Sequence, residues 1–209
     1  MPKKEPFEKN VVRYEEWFER NSFVYESELE AIRSLLSQSG TGVEIGVGTG
    51  RFAAPLGISF GVDPSKEMGK VAQQRGIEVI GGVAEALPFD DDRFDFALMV
   101  TTICFLDNIE MSFKEGYRVI KAGGFLIIGF VDRNSPLGKT YQKYKNNNVF
   151  YKVATFYSVN EVVSYLKKTG FRDIAFTQTI FHNLKDVNEI EPVKKGHGKG
   201  SFVVVKGMK

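Results

Sequence analysis

Thr41-Gly42-Val43-Glu44-Ile45-Gly46-Val47-Gly48-Thr49-Gly50-Arg51-Phe52 is the stretch whose reading decides the fold. Val43, Glu44 and Ile45 read as the end of a buried strand. Gly46, Gly48 and Gly50 then alternate with Val47 and Thr49, and Arg51 onward reads as the first turn of a helix. A strand that runs through glycines into a helix is a ligand-binding device. Glycine lets the backbone turn sharply and lets a ligand approach it closely, and the N–H groups of the helix start face that ligand. Spacing narrows the choice of ligand. In the dinucleotide fingerprint G-x-G-x-x-G the third glycine falls where this chain has Arg51,. The carboxylate of Glu44, two residues before the first glycine, is a poor neighbour for a pyrophosphate and suits a ligand that presents a cation.

Length and composition agree with an ordinary globular protein,. At 209 residues the chain is long enough for a full core, and a soft prior of about 150 residues per domain favours one domain,. Hydrophobic residues make up 43% and charged residues 26%, and the net charge of +2 does not argue for nucleic acid,. One cysteine excludes an intrachain disulfide framework and fits a reducing compartment,. The opening MPKKEPFEKNVVRYEEW lacks the apolar centre of a signal peptide,. No apolar run approaches the about 20 residues that span a bilayer. The expectation is a cytoplasmic protein that does not engage a membrane.

Along the chain, residues 7–38 read as two helices, with Phe7, Val11, Tyr14, Phe18, Leu29, Ile32, Leu35 and Leu36 at helical spacing,. The helix after the glycines is short, because Pro55 and Gly57 interrupt it,. Residues 58–62 read as the second strand and lead to Asp63-Pro64-Ser65, with Asp63 about 20 residues after Glu44,. At that spacing a carboxylate stands at the end of the neighbouring strand and can accept from ribose hydroxyls; a helix N-cap is its alternative use. A helix over 65–75 closes at Gly76, residues 77–80 and 94–100 read as strands three and four, and a helix runs from about Asn108 to Lys121,. Asp90, Asp91 and Asp92 read as a solvated turn rather than a metal site, and Cys104 as a small hydrophobe rather than a nucleophile,. Ser158 and Glu161 form a capping box,. Residues 171–180 and 201–206 read as a final antiparallel pair joined by a surface loop, with KKGHGKG at 194–200,.

The run Glu44-x-Gly46-x-Gly48-x-Gly50 resembles the first motif of the class I S-adenosylmethionine-dependent methyltransferases. Gly82, Ala84, Glu85, Leu87, Pro88 and Phe89 resemble their third motif, and Arg118-Val119-Ile120-Lys121-Ala122-Gly123-Gly124 their post-helix segment. The chain is similar to the broad group that includes quinone-biosynthesis methyltransferases. The resemblance covers about residues 10–180 and is strongest over 41–131. It implies a three-layer, Rossmann-like, doubly wound α/β fold with a seven-stranded sheet, mostly parallel, with one antiparallel strand in the C-terminal hairpin. It also implies one domain over 1–209: a helical cap over 1–40, a cofactor core over 41–131, a substrate lid over 132–157 and a C-terminal helix and hairpin over 158–209.

The same resemblance implies a site. S-adenosylmethionine is the expected cofactor, with Glu44, Gly46, Gly48, Gly50, Asp63, Pro64, Ala84, Glu85 and Thr101 around it. Val83 stands where many members have an adenine-binding Asp, which leaves the Ala84 N–H and the Glu85 carboxylate for that contact. TTIC at 101–104 departs from the N/D-P-P-Y/F motif of DNA amino-methyltransferases and disfavours that activity. The expected partner is a small-molecule methyl acceptor, anionic or aromatic, near Tyr14, Trp17, Tyr141 and Tyr144,. For each of these four the plain alternative is a packed or solvated helix face. Methyl transfer from a sulfonium needs a base only when the nucleophile arrives protonated, so no catalytic residue is assigned; His182 is the better base candidate of the two histidines,. A cofactor sensor or partner subunit without activity would keep every cofactor motif. A nicotinamide oxidoreductase is opposed by Glu44 and Arg51.

Overall fold

In the computed structural model the described residues are 3–36 and 40–209. Three helices open the chain: α1 (Glu5–Lys9), α2 (Val11–Arg20) and α3 (Ser22–Arg33). Strand β1 (Gly42–Ile45), β2 (Phe60–Asp63), α4 (Lys66–Gln74), β3 (Glu78–Gly81) and β4 (Phe94–Val100) come next. Then come α5 (Ile109–Val119), β5 (Ile120–Val131), α6 (Pro136–Lys143), α7 (Val159–Lys168), β6 (Arg172–Thr179), β7 (Lys194–Lys195) and β8 (Phe202–Met208). The sheet has the order β3-β2-β1-β4-β5-β8-β6-β7. Strands β1 to β5 pair in parallel, while β8 runs antiparallel to both β5 and β6.

The expected doubly wound sheet is present, with eight strands rather than seven. The additional strand is β7, two lysines from the stretch read as surface loop. It pairs with Thr177 and Gln178 of β6. The buried Gln178 side chain pins the turn beyond it, its Oε1 accepting from the N–H of Lys199 at 2.8 Å and of Gly200 at 2.7 Å. Two lysines carry no strand pattern, so only the tertiary partner reveals this element.

Alternation along the strands separates two cores, one on each face of the sheet. Phe96, Leu98 and Val100 of β4, Ile127 of β5 and Val204 of β8 face a core built from α2, α3 and α4,. Ala97, Met99, Leu126, Ile128, Val203 and Val205 face the opposite core with Phe113 of α5 and Val162 and Leu166 of α7. Strands covered on both sides are apolar throughout, as β4 is after Asp95,.

Three boundaries differ from the sequence reading. The N-terminal region forms three helices rather than two, broken at Asn10 and Asn21, whose backbones leave the helical region. Their side-chain amides donate to the carbonyls of Pro6 and Trp17 at 2.8 Å each, so the breaks are satisfied locally,. The end of the expected second helix, residues 37–38, lies outside the described residues. After Gly50 there is no α-helix, only a turn and a 3₁₀ segment at Ala54–Leu56, stopped by Gly57 at φ 71°,. Helices α2 and α3 cover the face that this segment leaves open. At the other end of the core, α5 stops at Val119 and passes straight into β5. Gly123 therefore ends no helix; it turns at φ 79° inside a bulge between the pairs Phe94–Ile120 and Phe96–Phe125,.

The capping box at α7 forms as read. Ser158 Oγ accepts from the Glu161 N–H at 3.4 Å, and Glu161 Oε2 accepts from the Ser158 N–H at 2.8 Å. Ser158→Ala is expected to lower the unfolding free energy by about 1 kcal/mol, read as a smaller urea midpoint with an unchanged slope.

Candidate functional site

The order of the sheet reverses between β1 and β4, and a cleft of about 800 Å³, open to solvent, lies there at the strands' carboxyl ends,. The end of β1 contributes Gly46 and Gly48, and the end of β2 contributes Val62, Asp63 and Pro64. The segment after β3 contributes Gly82 to Glu85, and the end of β4 contributes Val100, Thr101 and Thr102. Lys3, Lys4, Phe7 and Tyr14 close the cleft from the N-terminal side.

The glycine turn is built by backbone bonds to β2. The N–H groups of Gly46 and Val47 donate to the Val62 carbonyl at 2.8 and 3.0 Å, and Gly48 N–H donates to Asp63 Oδ2 at 2.8 Å. Gly46, Gly48 and Gly50 have φ of 75°, 53° and 80°, where a side chain is strained,. At Gly46 a Cβ would also collide with the Thr102 side chain. At Gly48 a Cβ would meet the Tyr14 hydroxyl at 3.5 Å and the Met68 Cε at 3.6 Å, ordinary contact distances. Packing and the turn together require glycine at Gly46, whereas at Gly48 the left-handed turn alone favours it.

The two acids of the motif are placed differently. Asp63 lines the cleft; its Oδ1 accepts from Ser65 N–H at 2.8 Å and its Oδ2 from Gly48 N–H. Burial pushes its carboxyl up to about 6 against these two donors,. Ser65, not Asp63, caps α4. Glu44 does not line the cleft, which corrects the expectation that its charge faces a ligand directly. It is 2% exposed, accepts from the Ala53 N–H, and leaves Oε2 without a partner. Burial therefore holds its carboxyl well above the usual range and favours the neutral form,.

Gly50 lies in the turn without lining the cleft, and its neighbour Arg51 binds away from it. Arg51 Nη2 pairs with Glu15 at 2.7 Å and Glu19 at 2.6 Å on α2, and Arg75 donates to Thr49 O and pairs with Glu15, both at 2.5 Å. This network fastens α2 to the glycine turn and so holds Tyr14 over Gly48. Pro64, Ala84 and Thr101 line the cleft, Thr101 at φ 51°. Glu85 lines it too, but its Oε1 is engaged by the N–H groups of Asp107 at 2.8 Å and Asn108 at 3.0 Å.

A second cavity of about 1220 Å³, also open to solvent, adjoins the cleft and shares Phe7, Tyr14, Thr101 and Phe105 with it. Three of the four expected acceptor residues meet there: Tyr14, Trp17 and Tyr141. Tyr144 does not; it is 51% exposed, with its ring 5.3 Å from Lys143 Nζ. Tyr151 takes its place, its ring centroid 4.5 Å from that of Tyr141. The cavity also holds Glu28, which sequence reasoning missed. Its signal was a carboxylate on the apolar stripe Val24, Glu28, Ala31, Ile32 of α3, where every other member is buried,.

The remaining candidates stand apart. His182 is 72% exposed and pairs with Glu191 at 2.8 Å, outside both cavities. Cys104 is partly buried and donates to Thr101 O at 3.2 Å, with burial pushing its thiol up to about 12. Asp91 and Asp92 pair with Arg118 and Lys209 at 2.8 Å each. Among the described residues no helix is long and apolar enough to cross a membrane.

Residues 43–128 match the methyltransferase domain family. A solved structure from Thermotoga maritima, described as a SAM-dependent methyltransferase and possible histamine N-methyltransferase, is similar over 99% of both chains. Its TM-score is 0.97 and its sequence identity 52%. An uncharacterized protein of Methanocaldococcus jannaschii is 47% identical over 97% of this chain and 98% of its own length. The mitochondrial 2-methoxy-6-polyprenyl-1,4-benzoquinol methylase of Xenopus laevis is 40% identical over 39% of this chain and 30% of its own length.

Burial pushes the Glu28 carboxyl from 4.5 up to about 8. Below pH 4.5 folded and unfolded chains both hold that proton. Between pH 4.5 and 8 only the folded chain keeps it, so stability falls as pH rises. Glu28→Gln removes this slope: the variant is expected to match the ligand-free parent near pH 4 and to exceed its unfolding free energy by on the order of 5 kcal/mol above pH 8, measured by urea denaturation across that range.

Proposed function

We propose a small-molecule methyl transfer for this chain, which belongs to the S-adenosylmethionine-dependent methyltransferases. One observation carries the assignment of the site: bare Gly48 backbone and the Asp63 carboxylate converge in a cleft at the sheet's reversal point, and an aromatic cavity opens beside it. The residues present suit the methyl donor. Each Asp63 oxygen already accepts one backbone N–H, which fixes the carboxylate and leaves lone pairs for two ribose hydroxyls,. Ala84, Pro64 and Leu106 offer an apolar bed for a flat base. Gly46 and Gly48 line the cleft, where their turn would meet an amino-acid tail, and Glu44 lies behind that turn, bonded to the Ala53 N–H.

When bound, the donor supplies a methyl group on a sulfonium, whose departure leaves a neutral thioether. The chain's contribution is placement and exclusion of water. Tyr14 and Phe7 line both cleft and cavity, so they shape the passage in which acceptor and methyl meet. Residues 132–157 supply Tyr141 and Tyr151 to the cavity wall, in keeping with a lid over the acceptor. The Thermotoga neighbour's description names a small aromatic amine, a size this cavity accommodates.

The local geometry also opposes nicotinamide binding. A pyrophosphate needs a helix N-terminus after the turn, and here only a 3₁₀ segment succeeds it, with Arg51 drawn off to Glu15 and Glu19. Asp63→Ala is expected to weaken binding of S-adenosylmethionine by about 10- to 100-fold in calorimetric titration, as the loss of charge-assisted hydrogen bonds implies. Equal affinity in a folded Asp63→Ala protein refutes the ribose assignment. Absence of labelled methyl transfer to any acceptor, with donor binding intact, favours a cofactor sensor instead.

A further inference from the structure

Glu28 is the one feature of the second cavity that methyl transfer alone does not explain. It sits on α3 among Val24, Ala31 and Ile32, is 4% exposed, and lines the aromatic cavity. Among the described residues no hydrogen bond or ion pair to its carboxylate is found, whereas the other acids near the cleft, Asp63, Glu44 and Glu85, each accept at least one backbone N–H. Ionising a buried carboxyl that has no partner is unfavourable, so the ligand-free chain holds this proton up to about pH 8,. Such a group in a cavity marks a binding site waiting for a counter-charge.

The walls around it have a matching character. Tyr14, Trp17, Tyr141 and Tyr151 surround the same space; burial chiefly, and the nearby Glu28 to a smaller degree, make the Tyr14, Tyr141 and Tyr151 phenols hold their protons more tightly. Aromatic faces attract cations through their quadrupole, most strongly where water is excluded. The cationic groups at the cavity, Arg13 and Arg20, are exposed, and Arg20 is paired with Glu16 at 2.7 Å. Neither neutralises Glu28. A cationic acceptor stabilises the ionised carboxylate; an anionic one disfavours its ionisation, and a neutral one supplies no counter-charge.

We propose that the cavity lined by Tyr14, Trp17, Tyr141, Tyr151 and Glu28 is the methyl-acceptor site and that it selects a cationic amine, with Glu28 as its counter-charge. This rests on the methyltransferase reading above and adds the acceptor's chemistry; of the anionic or aromatic acceptor expected from the sequence, it replaces the anionic alternative. The proton balance closes through the open cavity: Glu28 gives up its proton to water as the ammonium binds, and returns to water the one it takes from the ammonium once product leaves. The ammonium gives one proton to the Glu28 carboxylate, which frees the nitrogen lone pair. The lone pair forms the N–C bond as the C–S bond breaks, the C–S electron pair stays on sulfur, and a methylated ammonium leaves. The raised affinity of Glu28 for a proton suits that transfer,.

The test titrates matched sets of amine, alcohol and carboxylate, with ethyl, butyl and phenylethyl bodies, into the full chain saturated with S-adenosylhomocysteine. Methyl transfer from labelled donor is measured in parallel. The parent is expected to bind the best amine at least 10-fold more tightly than its alcohol or carboxylate partner and to methylate it. Glu28→Gln is expected to lose at least 10-fold in amine affinity while keeping donor affinity. Glu28→Asp retains the charge and is expected to recover part of the preference. A parent that binds donor but shows no preference for amines overturns the proposal, as does a Glu28→Gln protein with parental amine affinity and turnover. If Glu28→Gln does not fold, the parent's preference among the three charge types still decides. A parent that fails to bind the donor at all sinks the methyltransferase reading itself, a separate outcome.

Discussion

The hydrogen bond from the Gly48 N–H to Asp63 Oδ2, 2.8 Å long, ties the end of β1 to the end of β2, and the site is arranged about it. It holds the glycine turn in a left-handed course that side chains rarely adopt,, and it orients the carboxylate that faces the cleft. Its neighbours act in the same direction. Gly46 and Val47 both donate to Val62 O, and Thr102 Oγ1 donates to Gly46 O at 3.3 Å, so three strand ends are drawn to one point. The carboxyl ends of adjacent parallel strands are where backbone groups are free to do this.

Beyond that point the turn is held from outside by charge. Arg51 and Arg75 converge on Glu15, and through them α2 is fixed against the glycines. These pairs are partly buried, so they lose less to solvent than ordinary surface pairs,. One consequence is structural: α2 and α3 fill the sheet face that the missing helix after Gly50 leaves bare. The other is functional: Tyr14 is delivered to the boundary between cleft and cavity. A residue at the third-glycine position of a dinucleotide fingerprint is thus used here to build a wall.

Three buried acids illustrate how environment divides one functional group into different roles. Asp63 has two backbone donors and a cleft surface, Glu44 has one donor and no cleft surface, and Glu28 has a cavity and no donor. Burial raises the proton affinity of all three. What separates them is the set of N–H groups within reach, a property of the surrounding backbone rather than of the carboxylate.

The chain's own sequence determined the parallel core, because period-two alternation and glycine spacing act within a dozen residues. β4 was legible to its bounds, the α7 capping box to the residue, and Asp63 by its distance from Glu44. Tertiary structure alone decided the rest, since each remaining feature depends on a partner far along the chain. Pairing with Gln178 makes a strand of Lys194–Lys195, and the Ala53 N–H draws Glu44 beneath the turn. Packing of α6 selects Tyr141 over Tyr144, and the fold brings Glu28 of α3 beside Tyr151, more than a hundred positions later, in one cavity. Local pattern sets which face of an element is apolar; only the closed fold sets which polar group is left inside without a partner.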